Sequence, residues 1–305
     1  MSDLTLILAP IFLIIIFGYI LKHLQFLEPQ VWNGFEKLVY FVSFPALLIH
    51  NLSTAQINHD VFFEIALTLI ATILFMTLVL VLASSLWRSD LKAFTSVFQG
   101  GLRFNSYIGL AIVAIWLPDT GVALAAIAMM SMIPLLNVLC VLILKVYATH
   151  TPVCWRDVST DLVKNPLIIG CVIGISLNIL QIQLPQELQQ SFKLVGQATL
   201  PLGLLAVGAA LELHHFWRSF LNIIVSSGIK LVIFPLIVLG IHAVVQFECH
   251  VYQIVLLFSA LPTATSSYIL AKQLGGDAEL MANIISAQVV LSLFSLPWIL
   301  WLASC

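Results

Sequence analysis

The chain has 305 residues, of which 61% are hydrophobic and only 9% are charged, and its formal net charge is −2. Soluble domains carry about 25% charged residues, so this composition excludes a soluble enzyme and a disordered scaffold, and the net charge argues against binding to nucleic acid. Because one membrane-spanning helix takes about 20 residues, the length and composition predict a polytopic integral membrane protein in a lipid bilayer.

Charged and turn-forming residues divide the chain into ten apolar segments, and each is predicted to span the membrane. Helices are expected because backbone polar groups find no water in hydrocarbon and must bond within the segment. The predicted spans are residues 4–22, 35–55, 61–86, 93–116, 121–147, 164–181, 190–212, 218–245, 250–272 and 280–303. The predicted fold class is therefore an all-α integral membrane protein with ten transmembrane helices.

Lysine and arginine are unevenly distributed between the loops, and this asymmetry predicts the orientation of the chain. Nine of them lie on the side of the membrane where each odd-numbered span ends and the next even-numbered span begins. Lys193 alone lies on the opposite side. Since basic loops stay in the cytoplasm, both termini are predicted to be extracytoplasmic, in an inner or plasma membrane. The nine residues are Lys22, Lys37, Arg88, Lys92, Lys145, Arg156, Lys164, Arg218 and Lys272.

An internal repeat divides the chain into residues 1–150 and 151–305. Residues 10–48 align without a gap on residues 166–204, at an offset of 156 positions. Each half holds five predicted spans, and an odd number of spans inverts the second copy in the membrane, as in many secondary transporters. The matched pairs include Pro10 with Pro166, Gly18 with Gly174, Pro29 with Pro185, and Pro45 with Pro201.

The fourth and ninth predicted spans contain the polar and helix-breaking residues of a candidate substrate site. Inverted-repeat transporters bind substrate near the bilayer midplane, where discontinuous helices of the two repeats meet. The alternative is that these small polar residues only allow helices to pack closely, but two such clusters at equivalent positions favour a site. The predicted substrate-binding residues are Arg103, Asn105, Ser106, Tyr107, Pro262, Thr263, Thr265, Ser266 and Ser267.

Further polar residues of the spans are assigned supporting roles. A small hydroxyl residue stands two positions before each of two matched prolines, which predicts helix breaks in spans two and seven that line the site. Asn137 and Gln288 are expected to be interhelical hydrogen-bond partners. The residues of the two predicted breaks are Ser43, Pro45, Thr199 and Pro201.

Charged and titratable residues within or beside the spans have more than one interpretation each. Arg103 contacts the substrate, extends toward the cytoplasmic surface or forms a structural pair with a carboxylate. Lys230 forms either a conformation-linked ion pair or a ligand contact. His50 and Glu64 lie near the extracytoplasmic side, where a protonatable pair would couple transport to protons. An interfacial pair in contact with water is the favoured interpretation of these two residues.

Four short motifs in predicted spans four, six, seven and nine resemble those of a known family. They are Arg103-Phe104-Asn105 with Gly109, Asn165-Pro166-Leu167-Ile168-Ile169-Gly170, Leu200-Pro201-Leu202 with Gly208, and Ala260-Leu261-Pro262-Thr263-Ala264-Thr265-Ser266-Ser267-Tyr268 followed by Ala271-Lys272. With them the chain resembles, from end to end, the auxin efflux carrier family and in particular its bacterial malonate or organic-acid permeases. The resemblance implies two inverted five-helix repeats, crossing broken helices four and nine, elevator-type movement and carboxylate substrates.

The chain departs from this family at one position. Many relatives have a proline two residues after Gly109, where this chain has Ala111. The departure leaves Gly100-Gly101 and Asn105 as candidate positions for the break in span four.

The combined prediction is a secondary transporter, with export the favoured direction, that moves a small organic anion such as a carboxylate by elevator-type alternating access. The alternatives are a channel-like or ligand-sensing membrane protein, and a carrier of a neutral or cationic solute. The chain has no HExxH, GxSxG or phosphate-loop motif, so an enzyme is not expected. No cofactor or metal is expected either, and a homodimer is the candidate assembly.

Overall fold

The structure is a computed structural model that describes residues 2–55, 59–87, 90–149, 160, 163–211 and 219–304. The described residues form helices connected by turns, with no strand among them, so the all-α prediction is confirmed. The fifteen α-helices of these ranges are α1 (Ser2–His23), α2 (Pro29–Leu38), α3 (Phe44–Thr54), α4 (His59–Ala83), α5 (Leu91–Leu102), α6 (Ser106–Trp116), α7 (Gly121–Leu144), α8 (Pro166–Ile179), α9 (Gln186–Gln197), α10 (Thr199–Ala209), α11 (Phe220–Gly228), α12 (Phe234–Val245), α13 (Cys249–Ala260), α14 (Ser266–Gln273) and α15 (Ala278–Leu302).

Several of these helices follow one another directly and form longer rods. The π-helical turn Val39–Ser43 joins α2 to α3, Ile229–Ile233 joins α11 to α12, and Lys145–Thr149 extends α7. Within the described residues, five rods are long and apolar enough to cross a membrane: Asp60–Trp87, Gly121–Thr149, Gln186–Ala209, Phe220–Val245 and Ala278–Leu302.

Large apolar side chains cover much of the outside of the molecule. Leu13 is 65% exposed, Leu67 is 70% exposed and Phe294 is 70% exposed. Soluble monomers rarely expose large contiguous apolar surfaces, whereas a lipid environment stabilises them. The exposed surface and the five apolar rods together support a multi-pass membrane protein.

Among the helix starts that the structure describes, four have a capping side chain. In each case a side-chain oxygen accepts a hydrogen bond from a backbone N–H of the first turn, which the helix itself leaves unpaired. A cap of this kind contributes about 1 kcal/mol. The capping residues are Asp90 of α5, Asn105 of α6, Asn165 of α8 and Asp277 of α15.

The turns that follow α1 and α8 have the same backbone conformation. Gln25 and Gln181 both adopt a left-handed conformation with φ of 51°. In each turn the residue after the glutamine donates to a carbonyl five positions earlier, which is the Schellman pattern of a helix end. These bonds are Phe26 N–H to Leu21 O at 3.1 Å and Ile182 N–H to Leu177 O at 2.9 Å. The two glutamines are 156 positions apart, the offset of the sequence repeat.

Two pairs of helices approach each other closely at glycines. Gly18 of α1 touches the backbone of Leu205 in α10, and Gly174 of α8 lies against Ile49 of α3. A Cβ at Gly174 would lie 3.2 Å from Ile49 Cα, so the missing side chain permits the approach. Gly174 comes 156 positions after Gly18, and Leu205 comes 156 positions after Ile49, so both members of the contact repeat at the offset of the sequence repeat.

Predicted spans four and nine are interrupted in the protein interior. Residues 103–105 separate α5 from α6, and residues 261–265 separate α13 from α14. Gly100 and Gly101 lie inside α5. Of the two candidate positions for the break in span four, the one at Asn105 is therefore confirmed.

Candidate substrate cavity

The two interruptions meet at one point. The N–H of Asn105 donates to the carbonyl of Pro262 at 2.7 Å. Each interruption thus supplies a backbone partner that a regular helix would have supplied itself, and the bond ties the two segments together.

Gln288 of α15 forms hydrogen bonds with backbone groups on another side of the point where the two interruptions meet. Its Oε1 accepts from the N–H of Thr263 at 2.9 Å, and its Nε2 donates to the carbonyl of Gly100 at 2.9 Å. The hydroxyl of Thr263 lies 2.7 Å from both Gly100 O and Gln288 Oε1. An unpaired buried polar group costs roughly 1–3 kcal/mol, so Gln288 stabilises both interruptions, as its predicted interhelical role requires.

A cavity of about 90 Å³ lies beside the crossing point. One water needs roughly 10–15 Å³ of such space, so the cavity has room for a small molecule or several waters. Its polar lining residues are Glu36, Tyr40, Arg103, Asn105, Ser106, Tyr107, Asn137, Asn165, Thr265 and Ser266, and its apolar lining residues are Phe44, Phe104, Ile133, Leu136, Leu167 and Ala264.

Arg103 carries the positive charge of this cavity. Its guanidinium donates to Asn137 Oδ1 at 3.3 Å and to Ser266 Oγ at 3.0 Å. Both partners are neutral, and within the described part of the chain no ion pair engages Arg103. The charge therefore remains available to an anion, and the planar fork of a guanidinium suits a carboxylate.

Helices α6 and α14 both begin at the cavity. Asn105 Oδ1 caps α6 by accepting from the N–H groups of Tyr107 at 3.1 Å and Ile108 at 3.2 Å. Because the cap uses the amide oxygen, the amide nitrogen remains as a donor, and it has no partner among the described residues. At the start of α14 the side chain of Thr265 caps nothing. Helix starts carry partial positive charge and unpaired N–H groups.

Another part of the wall carries a carboxylate. Glu36 of α2 lines the cavity with Tyr40 and Tyr107, and its charge acts on the Tyr107 hydroxyl. The ring of Tyr107 packs edge-on against Phe44, with centroids 5.5 Å apart. Asn165 completes this wall and caps α8 with its side-chain oxygen.

Comparison with known proteins identifies the family. Residues 4–300 match the pattern of a family described as "Membrane transport protein". The chain belongs to this family of membrane transport proteins. The predicted membership of the auxin efflux carrier family is thereby confirmed, and a family of transporters rather than of enzymes is indicated.

Two relatives of this transport protein match at different lengths. A protein of Methanothermobacter thermautotrophicus named "Uncharacterized transporter" is 31% identical over 104 residues, which cover 34% of this chain and 34% of that protein. A protein of Rhizobium meliloti named "Putative malonate transporter" is 22% identical over 317 residues, which cover 99% of this chain and 96% of that protein. The match thus spans about a third of the first relative and nearly the whole of the second.

The structure brings most of the predicted substrate-binding residues of the transport protein to the cavity. Pro262 and Thr263 belong instead to the crossing, where they bond to Asn105 and Gln288. Ser267 is fully buried, and its hydroxyl has no partner among the described residues. The six residues that line the cavity are Arg103, Asn105, Ser106, Tyr107, Thr265 and Ser266.

The residues of the two predicted proline breaks do not line this cavity. Span two stays helical through a π-helical turn, and span seven is interrupted only at Ala198, between α9 and α10. A proline in the first turn of a helix lacks an N–H that would be unpaired there anyway, so these prolines begin helices and do not unwind them. The four residues concerned are Ser43, Pro45, Thr199 and Pro201.

The predicted coupling residues also lie outside the cavity lining. Lys230 is fully buried, with its Nζ 3.5 Å from the carbonyl of Leu102 and 4.5 Å from the ring centroid of Phe234. A cation there faces the negative end of the α5 dipole. His50 of α3 and Glu64 of α4 are half-buried, and their part in coupling stays a prediction.

Four polar wall residues are absent from the predicted site residues, and nothing in the sequence marks one of them, Tyr40. Glu36 stands at the start of predicted span two, and its position inside an apolar segment is the signal that marks an intramembrane carboxylate. Asn137 was expected to be an interhelical partner, which its bond to Arg103 confirms. Asn165 was noted as part of a motif, without a role at the site.

Proposed function

We propose that the protein is a secondary transporter that moves a small organic anion, namely a carboxylate, by alternating access through this cavity. The observation that carries the proposal is the convergence of Arg103 and two helix starts on one cavity, whose lining also includes Asn105 with its unpaired, buried amide nitrogen. Each of these groups donates hydrogen bonds or carries positive charge. An ionised carboxylate is a pure acceptor, so it satisfies all of them at once.

The helix starts supply attraction without another buried charge. Each helix of this kind presents about half an elementary charge at its N-terminus, and α6 and α14 both begin in the cavity lining. The hydroxyls of Ser106 and Ser266 add polar groups beside them. Such groups bind an anion without the desolvation cost of a second cation.

The proposal includes ten spans in two inverted repeats, residues 1–150 and 151–305. The repeated turns at Gln25 and Gln181 support this architecture, as do the repeated contacts of Gly18 and Gly174, because both recur at the offset of the sequence repeat. Transporters of this type hold substrate between discontinuous helices at the midplane. Elevator-type movement of the cavity would then expose it to each side in turn, with export as the proposed direction.

The proposed orientation has both termini outside the cytoplasm of an inner or plasma membrane. Three of the nine basic residues that predict it, Arg88, Arg156 and Arg218, lie outside the described residues. Cys249, which begins α13 on the proposed outer side, is disulfide-bonded. Disulfides persist in oxidising compartments, which supports this orientation.

The name of the Rhizobium meliloti relative supports a carboxylate as the substrate class. That protein is named "Putative malonate transporter", and the similarity covers 99% of this chain at 22% identity. Malonate carries two carboxylates, so mono- and dicarboxylates are both tested below.

The test is transport by the purified protein in liposomes, with labelled mono- and dicarboxylates, an amine and a neutral sugar. Gradients of pH, sodium ions and voltage are imposed in both directions, and empty liposomes are the control. We expect saturable transport of a carboxylate that other carboxylates inhibit. Transport of the amine or the sugar without inhibition by any carboxylate would contradict the substrate class, and flux that never saturates would indicate a channel.

A further inference from the structure

Glu36 lies where the substrate cavity meets a second cavity. This second cavity has a volume of about 580 Å³, and its lining includes Lys22 and His23 at the end of α1 and Tyr268 of α14. Glu36 and Thr265 line both cavities. A third cavity, of about 390 Å³, shares no lining residue with the substrate cavity. Glu36 is therefore shared by the substrate cavity and by the cavity that reaches the end of α1.

The substrate cavity holds one charge of each sign. Among its lining residues, Glu36 is the only carboxylate and Arg103 the only cation. No ion pair joins the two within the described residues, and Arg103 bonds instead to the neutral side chains of Asn137 and Ser266. Both charges therefore remain open to a ligand.

Other titratable groups also face Glu36. The tyrosines are uncharged at neutral pH, so the ionisation of Glu36 responds to Arg103, to the basic residues of the second cavity and to the charge of a bound ligand. Only the ligand charge arrives and leaves during transport at constant pH. The facing groups are Tyr40 and Tyr107 across the substrate cavity, Lys22, His23 and Tyr268 across the second cavity, and Lys37 next along α2.

With Glu36 ionised, its charge and that of Arg103 cancel, and a bound carboxylate adds an uncompensated negative charge to the cavity. A proton on Glu36 removes this excess and converts the side chain into a hydrogen-bond donor for the ligand. By linkage, a proton that strengthens anion binding is itself held more tightly when the anion is bound.

We propose that Glu36 takes up one proton from the aqueous solution through the second cavity when a carboxylate binds and releases it to the side on which the carboxylate leaves. The O–H bond of the glutamic acid forms and breaks once per cycle, and anion and proton cross together. This inference rests on the proposed function, since it requires a carboxylate substrate. It assigns coupling to a residue other than His50 and Glu64, neither of which lines the substrate cavity.

The test is calorimetric binding of malonate and of a monocarboxylate, in buffers of different ionisation enthalpy, so that the protons taken up per bound anion are counted. For the natural chain we expect about one proton per anion, and an affinity that falls about tenfold per pH unit above the midpoint. Glu36→Gln should keep binding, because the amide also donates, but lose proton uptake and the pH dependence. Glu28→Gln is the control, since this exposed glutamate precedes α2 and caps nothing with its side chain.

Several outcomes would overturn the assignment of the proton to Glu36. Unchanged proton uptake in Glu36→Gln, or loss of uptake in Glu64→Gln instead, would do so. If Glu36→Gln does not fold, Glu36→Asp must keep the uptake and shift the midpoint of its pH dependence, and an unchanged midpoint would contradict the proposal. Absence of carboxylate binding at any pH contradicts the proposed function, whereas binding without proton uptake contradicts the role of Glu36 alone.

Discussion

The two helix interruptions divide their spans in a similar way but differ in chemistry. The first contains its own cap, Asn105, and its own charge, Arg103. The second has neither, because Thr265 leaves α14 uncapped and Gln288 from another helix satisfies its backbone. The first is thus organised locally for recognition, whereas the second depends on the surrounding fold. Changes at the first should affect ligand binding most, and loss of support at the second should affect stability most.

The largest effect is expected for Gln288→Leu, which removes the support of the second interruption. The N–H of Thr263 would lose its partner in the interior, and the carbonyl of Gly100 would lose one of two donors. We expect the free energy of unfolding to fall by about 3 kcal/mol, measured by thermal unfolding in detergent. Ser292→Ala is the control on the same helix, since among the described residues its buried hydroxyl bonds only to the carbonyl of Val289. Equal melting temperatures for the two variants would show that the second interruption supports itself.

Arg103→Met is expected to have the next largest effect, on binding. Hydrogen bonds to charged groups contribute roughly 1.5–3 kcal/mol, so carboxylate affinity should fall by about 10- to 100-fold with little change in melting temperature. Lys92→Met removes the same charge from the exposed start of α5 and serves as the control. A similar loss of affinity in both variants would indicate a long-range effect of charge and no contact between Arg103 and the ligand.

The smallest expected effect compares the two helix starts directly. Asn105→Ala removes a cap and should lower the free energy of unfolding by about 1 kcal/mol, whereas Thr265→Ala removes no cap and should leave it nearly unchanged. Chemical denaturation of both variants under the same conditions measures the difference. If Thr265→Ala were the more destabilising of the two, the contrast between the interruptions would be reversed.

Much of the cavity could be predicted from sequence because its residues fall in unusual places. Arg103 is a charge inside an apolar span, and Asn105 and Ser266 place in such spans small polar side chains of a type that can bond to backbone. All three line the cavity. The helical segments follow equally directly from the continuous apolar runs, although their number as membrane spans stays a prediction.

The remaining site residues depend on three-dimensional information that a single sequence lacks. After an interruption the helical periodicity starts again in an unknown register, so nothing distinguished Thr265 and Ser266, which line the cavity, from Ser267, which is buried away from its lining. Thr263 bonds to Gln288, which lies on a different helix, so the sequence around Thr263 does not reveal this contact. Glu36 stands out in the sequence as a carboxylate in an apolar segment, but only the packing of α2 shows that it lines the cavity.

The two equivalent turns at Gln25 and Gln181 also bear on how the chain is inserted during synthesis. Their backbones agree, but the end of α1 carries Lys22, whereas the matched position at the end of α8 is Asn178. The amide nitrogen of Asn178 instead lies within hydrogen-bond distance of three carbonyls at the end of α3, and the shortest of these contacts is 2.7 Å, to Ala55. Two copies of one helical unit can adopt opposite orientations in the translocon only if their flanking charges differ. Under the proposed topology, the exchange of a lysine for an asparagine at this turn would remove the cytoplasmic retention signal, while both turns keep the same φ at the glutamine.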